Sequence, residues 1–267
     1  MTWLLAMCVG LVAGVHAATW GMYKDAPHEG FSRRKYARSP LLAAGLAPLV
    51  SAGAGLDPRR AGDLVLLFGV TYVIERALAE IYKTFLREED QTKYFIPMQL
   101  HVLGTVVRSR AARLTAGLLY TLGLIGMLLT VHGLDRRSAG SHSVALVVLV
   151  GGTGGWISAF GGAWKDAPSE GFQILKFFRS PALASLFAAG LATLTPSLLV
   201  VTLAATGYTV ATTETYKTFF FPLKPRGKFA GMPIRFPEML RRRQQFVPVY
   251  LAIWAGVLAA IAGAAHG

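Results

Sequence analysis

Apolar residues gather in eight long runs, at 2–23, 41–56, 63–82, 114–132, 143–164, 182–195, 197–216 and 247–265, with polar segments between them. A helix needs about 20 predominantly apolar residues to cross a bilayer, so the second and sixth runs are short. An open sheet edge cannot sit in lipid, which makes every run a helix candidate. The pattern predicts an all-α polytopic membrane protein of about eight transmembrane helices.

The first run has a secretory-signal outline, with Val15-His16-Ala17 as a cleavage site. No Lys or Arg precedes its apolar stretch, however, and 143–164 is an internal copy of it. It is therefore read as a spanning helix.

Composition agrees with this reading. The chain is 53% hydrophobic and 15% charged, against about 25% charged in soluble domains. An ordinary soluble enzyme and a disordered chain are both excluded. The single cysteine, Cys8, allows no intramolecular disulfide and no cysteine-based metal cluster, and reads as a small buried residue.

The net charge of +13 acquires meaning from its placement. Segments 24–38, 83–113, 165–179 and 217–243 hold 22 of the 27 Lys and Arg residues, whereas the opposite side holds Arg59, Arg60, Arg136 and Arg137. The asymmetry predicts that the basic side is cytoplasmic and that both termini lie outside, in a plasma (inner) membrane. Anionic lipid headgroups are then the expected partners at the cytoplasmic face. Nucleic acid is not expected, because no aromatic-interleaved binding motif occurs.

The chain also repeats itself. Residues 21–31, GMYKDAPHEGF, return at 162–172 as GAWKDAPSEGF, an offset of 141. At the same offset Arg38-Ser39-Pro40 matches Arg179-Ser180-Pro181, Lys35 matches Lys176, and Gly10 and Gly14 match Gly151 and Gly155. Residues 80–85, EIYKTF, return at 214–219 as ETYKTF at an offset of 134. The shortfall of seven falls on the outer loop 57–63, and segments 93–97 and 228–233 correspond more loosely. Residues 1–135 and 136–267 therefore read as two four-helix repeats. Four spans is an even number, so the copies are expected to be parallel, with a pseudo-two-fold axis along the membrane normal. The small-xxx-small glycines predict that the first and fifth spans pack near that axis.

Local signals predict several helix boundaries. Asp25-Ala26-Pro27 and Asp166-Ala167-Pro168 read as helix starts, as do Ser39-Pro40 and Ser180-Pro181. The basic, aromatic stretches 31–37 and 172–178 read as short interfacial helices.

The repeated ionic residues are the candidate site. Glu80 with Lys83, and Glu214 with Lys217, are spaced i,i+3 for pairing, and Arg76 with Glu80 is spaced i,i+4. Arg38 and Arg179 stand at headgroup level. Glu75 lies two turns inside the third span, where an ionisable group is costly and usually functional, and its aligned position in the second copy is Thr209. Only 32 residues separate Pro181 from Glu214, which gives two helices of about 24 Å each. Lys24, Asp25, Glu29, Lys165, Asp166, Glu170 and the other charged ends are therefore expected to line a cytoplasm-facing depression. Buried charges of both signs must pair or bind a ligand.

Three functions fit. The first is binding or transport of an anionic small molecule or lipid headgroup, because both copies keep the charged motif. The second is phosphoryl or nucleotidyl transfer on a lipid, with carboxylates holding Mg²⁺. The third is a structural subunit latched to partners in a membrane complex. The Asp-rich motifs of membrane prenyltransferases, the spaced aspartates of CDP-alcohol phosphotransferases, and any clustered histidine set are absent. No catalytic residue is assigned.

Overall fold

The computed structural model describes residues 1–137 and 142–266. Helix accounts for 76% of it. In chain order the helices are α1 (Thr2–Glu29), α2 (Arg33–Ala54), α3 (Ala61–Ile81), α4 (Arg110–Arg137), α5 (Val144–Gly151), α6 (Thr153–Glu170), α7 (Ile174–Leu191), α8 (Leu198–Phe219), α9 (Met239–Arg242) and α10 (Val247–His266). A π-helical turn, Tyr82–Leu86, extends α3, and a small antiparallel hairpin pairs β1 (His101–Val102) with β2 (Thr105–Val106).

Each predicted apolar run lies on one of these helices or, for the fifth, on the pair α5–α6. Five are long and apolar enough to cross a membrane: α1, α4, α5 with α6, α7, and α9 with α10. The remaining three, α2, α3 and α8, have 22, 21 and 22 residues; α2 is the more polar, α3 carries Asp63, Glu75, Arg76 and Glu80, and α8 is rich in threonine. On α8 five threonines are satisfied within the helix: Thr202, Thr206, Thr209, Thr213 and Thr215 each donate a hydroxyl to the carbonyl four residues earlier, at 2.7–2.8 Å.

Helices α3 and α8 cross backbone to backbone. A Cβ built on Gly207 would stand 2.0 Å from the Gly69 carbonyl oxygen, and one on Gly69 would stand 2.9 Å from Ala204. Only a missing side chain lets the two backbones meet this closely. Tyr208 of α8 then donates its hydroxyl to the Val65 carbonyl of α3 at 2.9 Å. The expectation that the first and fifth spans hold the centre is corrected here. Gly10 and Gly14 instead seat α2, against Ala43 and the Ser39–Pro40 backbone, while Gly151 and Gly155 seat α7, against Ala188 and the Ser180–Pro181 backbone. Glycine spacing shows that a helix is approached closely; it does not say by which neighbour.

The predicted helix starts are corrected as well. Asp25-Ala26-Pro27 lies in the last turns of α1, and Asp166-Ala167-Pro168 in those of α6. Ser39-Pro40 and Ser180-Pro181 lie within α2 and α7, which begin at Arg33 and Ile174 and absorb the supposed interfacial helices. A proline inside a helix deprives the carbonyl four residues back of its donor. For Pro27 that carbonyl belongs to Tyr23, and Arg243 points a guanidinium N–H at it from 3.4 Å. The helix ends that do occur are set by glycine: Gly30 and Gly171 close α1 and α6 at φ/ψ of 77°/165° and 74°/169°, a region open essentially to glycine alone. Cys8 is exposed on α1 rather than buried.

Candidate functional site

The charged ends of α1, α3, α6 and α8 converge. Lys24 of α1 donates to Glu214 of α8 at 2.6 Å, and Lys165 of α6 donates to Glu80 of α3. Each carboxylate also faces the lysine three residues on: Glu80 with Lys83 at 2.8 Å, Glu214 with Lys217 at 3.8 Å. So each glutamate joins the lysine three residues on to a lysine from the other half of the chain.

The ionic chain continues differently on the two sides. Asp166 accepts from Lys217 at 3.0 Å and from Lys176 at 3.1 Å, and Lys176 also pairs with Glu170. Asp25 and Glu29 instead face Lys228, at 3.5 and 2.9 Å. Lys35, the sequence counterpart of Lys176, lies over the Tyr94 ring. The exchange follows from the segment after α8 crossing beneath α1. The Arg235 and Phe236 amides both donate to the Pro27 carbonyl at 3.0 Å, and Phe229 stacks on His28 at 4.2 Å. Burial lowers the affinity of Lys228 for its proton, but Asp25 and Glu29 outweigh that and hold its pKa above the ordinary lysine value.

All of these ionic groups except Glu29, Lys35 and Glu170 form the floor of a cavity of about 640 Å³. Eight Lys or Arg side chains against four Asp or Glu line it. Lys24, Asp25, Glu80, Lys83, Lys165, Asp166, Arg179, Glu214 and Lys217, all sequence candidates, are among them. Arg179 faces the Tyr216 ring at 5.4 Å, and its buried Nε has no hydrogen-bond partner. Burial pushes the Lys83 ammonium down to about 8, opposed by Glu80 and reinforced by the charges of Arg76 and Lys165. Above the floor the walls turn apolar, with Tyr120, Leu124 and Leu128 of α4 on one side and Ile157 of α6 on another.

A smaller cavity of about 130 Å³ adjoins the first and shares Trp20, Asp25, Arg76, Lys83, Met98 and Lys228 with it. Arg38 and Glu29 line this one. Glu75 and Glu170 line neither and act through neighbours. Glu75 is 1% exposed and grips Arg76 with both oxygens, at 2.5 and 2.7 Å. Arg76 also reaches Ser39 at 3.1 Å, so it turns to Glu75 and Ser39 rather than to Glu80 as the helical spacing suggested. Glu170 accepts from the Gly227 amide at 3.0 Å.

Sequence reasoning missed Lys176, Lys228 and Trp20 as parts of the site. Lys176 was findable, because it repeats Lys35 at the shared offset. Lys228 was not, since its role depends on a long connection folding back under the other half. The carboxylates do not assemble as metal ligands; Asp25 and Asp166 have ammonium partners instead. Among the described residues no three His, Cys, Asp or Glu side chains group together. Comparison with protein-family models, with curated proteins and with solved structures finds no match to this chain.

Proposed function

We propose that this chain is an integral membrane protein that binds or transports an anionic small molecule or lipid headgroup. The site is the cavity between two parallel four-helix repeats, and its charged end faces the cytoplasm. One observation carries the reading: a cavity lined by twice as many cationic as acidic side chains, with lysine–glutamate pairs that cross between the repeats. The paired residues neutralise one another and fix the geometry. Arg179 keeps guanidinium donors for a ligand, and a planar fork suits a phosphate or carboxylate.

Three matched features support the repeat. Gly14 and Gly155 rest on equivalent Ser-Pro backbones, Gly30 and Gly171 adopt the same left-handed geometry, and Lys24–Glu214 is reciprocated by Lys165–Glu80. The cytoplasmic assignment rests on the basic residues of segments 24–38, 83–113, 165–179 and 217–243. Phosphoryl or nucleotidyl transfer through Mg²⁺ is the weaker reading, because the carboxylates it needs already hold lysines.

Calorimetric titration of the detergent-purified protein with a short-chain alkyl phosphate tests the reading. One molecule is expected to bind per chain, with affinity falling about tenfold in Arg179→Gln, the cost of a charge-assisted contact of about 1.5 kcal/mol. Absence of saturable binding, or an Arg179→Gln variant that binds like the unaltered protein, contradicts it.

A further inference from the structure

The walls of the cavity, compared with the corresponding place in the other repeat, identify the kind of anion. In the first repeat, four ring residues fill the crevice beside α10: His16 stacks on Tyr250 at 4.3 Å, Trp20 donates its indole N–H to the Tyr72 hydroxyl at 2.8 Å, and Phe68 lies 5.9 Å from Tyr72. The sequence offsets of 141 and 134 carry His16, Trp20, Phe68 and Tyr72 onto Ile157, Gly161, Thr202 and Thr206. All four of these smaller residues line the cavity. The second crevice is open where the first is plugged.

The opening is long. It runs along α8 from Glu214 and Lys217 at the floor to Thr202, which is 12 residues or about 18 Å from Glu214 along the helix. A small soluble anion occupies only the floor. Above the floor, α4 and α6 both line the cavity, and both belong to segments long and apolar enough to cross a membrane, with large apolar side chains exposed, among them Leu122 and Leu129 on α4 and Phe160 on α6.

We infer that the ligand is a membrane lipid whose headgroup is a net-anionic phosphate, which enters sideways between α4 and α6. Its headgroup rests on the lysine-rich floor beside Arg179, and its chain lies along Ile157, Gly161 and Thr206. This inference rests on the anion-binding reading above and narrows it to an amphiphile. Gly161 sets the bore, because it leaves open the volume that the indole of Trp20 fills in the other repeat.

Native mass spectrometry of the full chain, released from detergent micelles containing phosphatidic acid, phosphatidylcholine or glycerol 3-phosphate, provides the test. The expected result is retention of one phosphatidic acid per chain, at least tenfold above phosphatidylcholine, with no displacement by glycerol 3-phosphate. Gly161→Trp should abolish the retention. A Cβ at Gly161 meets no atom within 4 Å, so the variant is expected to fold, and Ile157→Phe serves as a second plug. Gly123→Trp, at an exposed position on α4 outside the cavity lining, should retain the lipid. Displacement by glycerol 3-phosphate overturns the lipid inference and leaves anion binding standing. Retention in both plugged variants overturns it too, because the lipid then sits on the outer surface. Failure of all three probes to bind overturns both readings.

Discussion

Glu75 lies in the middle of α3 with both carboxylate oxygens on the Arg76 guanidinium. Removing one partner of a buried pair strands the other charge, which costs about 3 kcal/mol, whereas replacing both with uncharged residues is close to neutral. Glu75→Ala alone is therefore expected to lower the thermal midpoint by several degrees. Glu75→Thr with Arg76→Val, the residues at the aligned positions of the second repeat, should recover most of it; a double variant as unstable as the single one contradicts this. Lys83 predicts a pH dependence. Its ordinary value is 10.5, and the fold holds it near 8, so below about pH 8 its buried charge opposes folding, and that penalty lifts as pH climbs towards 10.5. Anion binding runs the other way, because it uses the cation. Affinity for an alkyl phosphate, already a dianion at these pH values, should be level below about pH 8 and fall by up to tenfold per unit above it. The same calorimetric titration checks this between pH 7 and 9.5, and Lys83→Gln should flatten the profile. The sequence marked Glu75 as costly and asymmetric and Lys83 as paired with Glu80. It could not show that Arg76 folds back on its neighbour, because that choice depends on Ser39 arriving from α2.

Among the elements, the α3–α8 crossing leaves no room for a side chain at its centre. Any side chain at Gly207 must push the Gly69 backbone away, and overpacking of this kind costs about 1–3 kcal/mol. Gly207→Leu should lower the thermal midpoint by several degrees. Gly45→Leu, whose added atoms meet open space, should leave it unchanged, and equal effects from the two contradict the crossing. The helices themselves were legible from apolar run length alone. Their ends were not. Proline normally signals a boundary, yet Pro27, Pro40, Pro168 and Pro181 all sit inside helices. For Pro27 the orphaned carbonyl is approached by Arg243, 220 residues away, a partner that no local pattern announces. The glycines at 10, 14, 151 and 155 announced close packing and left the neighbour open, which is how α1 and α5 were expected at the centre that α3 and α8 occupy.

At the scale of the whole molecule, a sequence motif that appears twice supplies the ionic floor: Lys24 of its first occurrence reaches Glu214, and Lys165 of its second reaches Glu80. What the sequence concealed was the inequality of the two crevices, since the rings of His16, Trp20, Phe68 and Tyr72 read as ordinary core until their counterparts prove to line an open cavity. The account depends on the halves being joined through that floor. Double-mutant cycles on thermal stability, with Lys24→Gln and Glu214→Gln in one and Lys165→Gln and Glu80→Gln in the other, test the join most directly. Side chains in contact couple by about 0.5–3 kcal/mol, whereas independent sites add to within about 0.3–0.5 kcal/mol. The account predicts favourable coupling above about 0.5 kcal/mol in both cycles; additivity in both contradicts it.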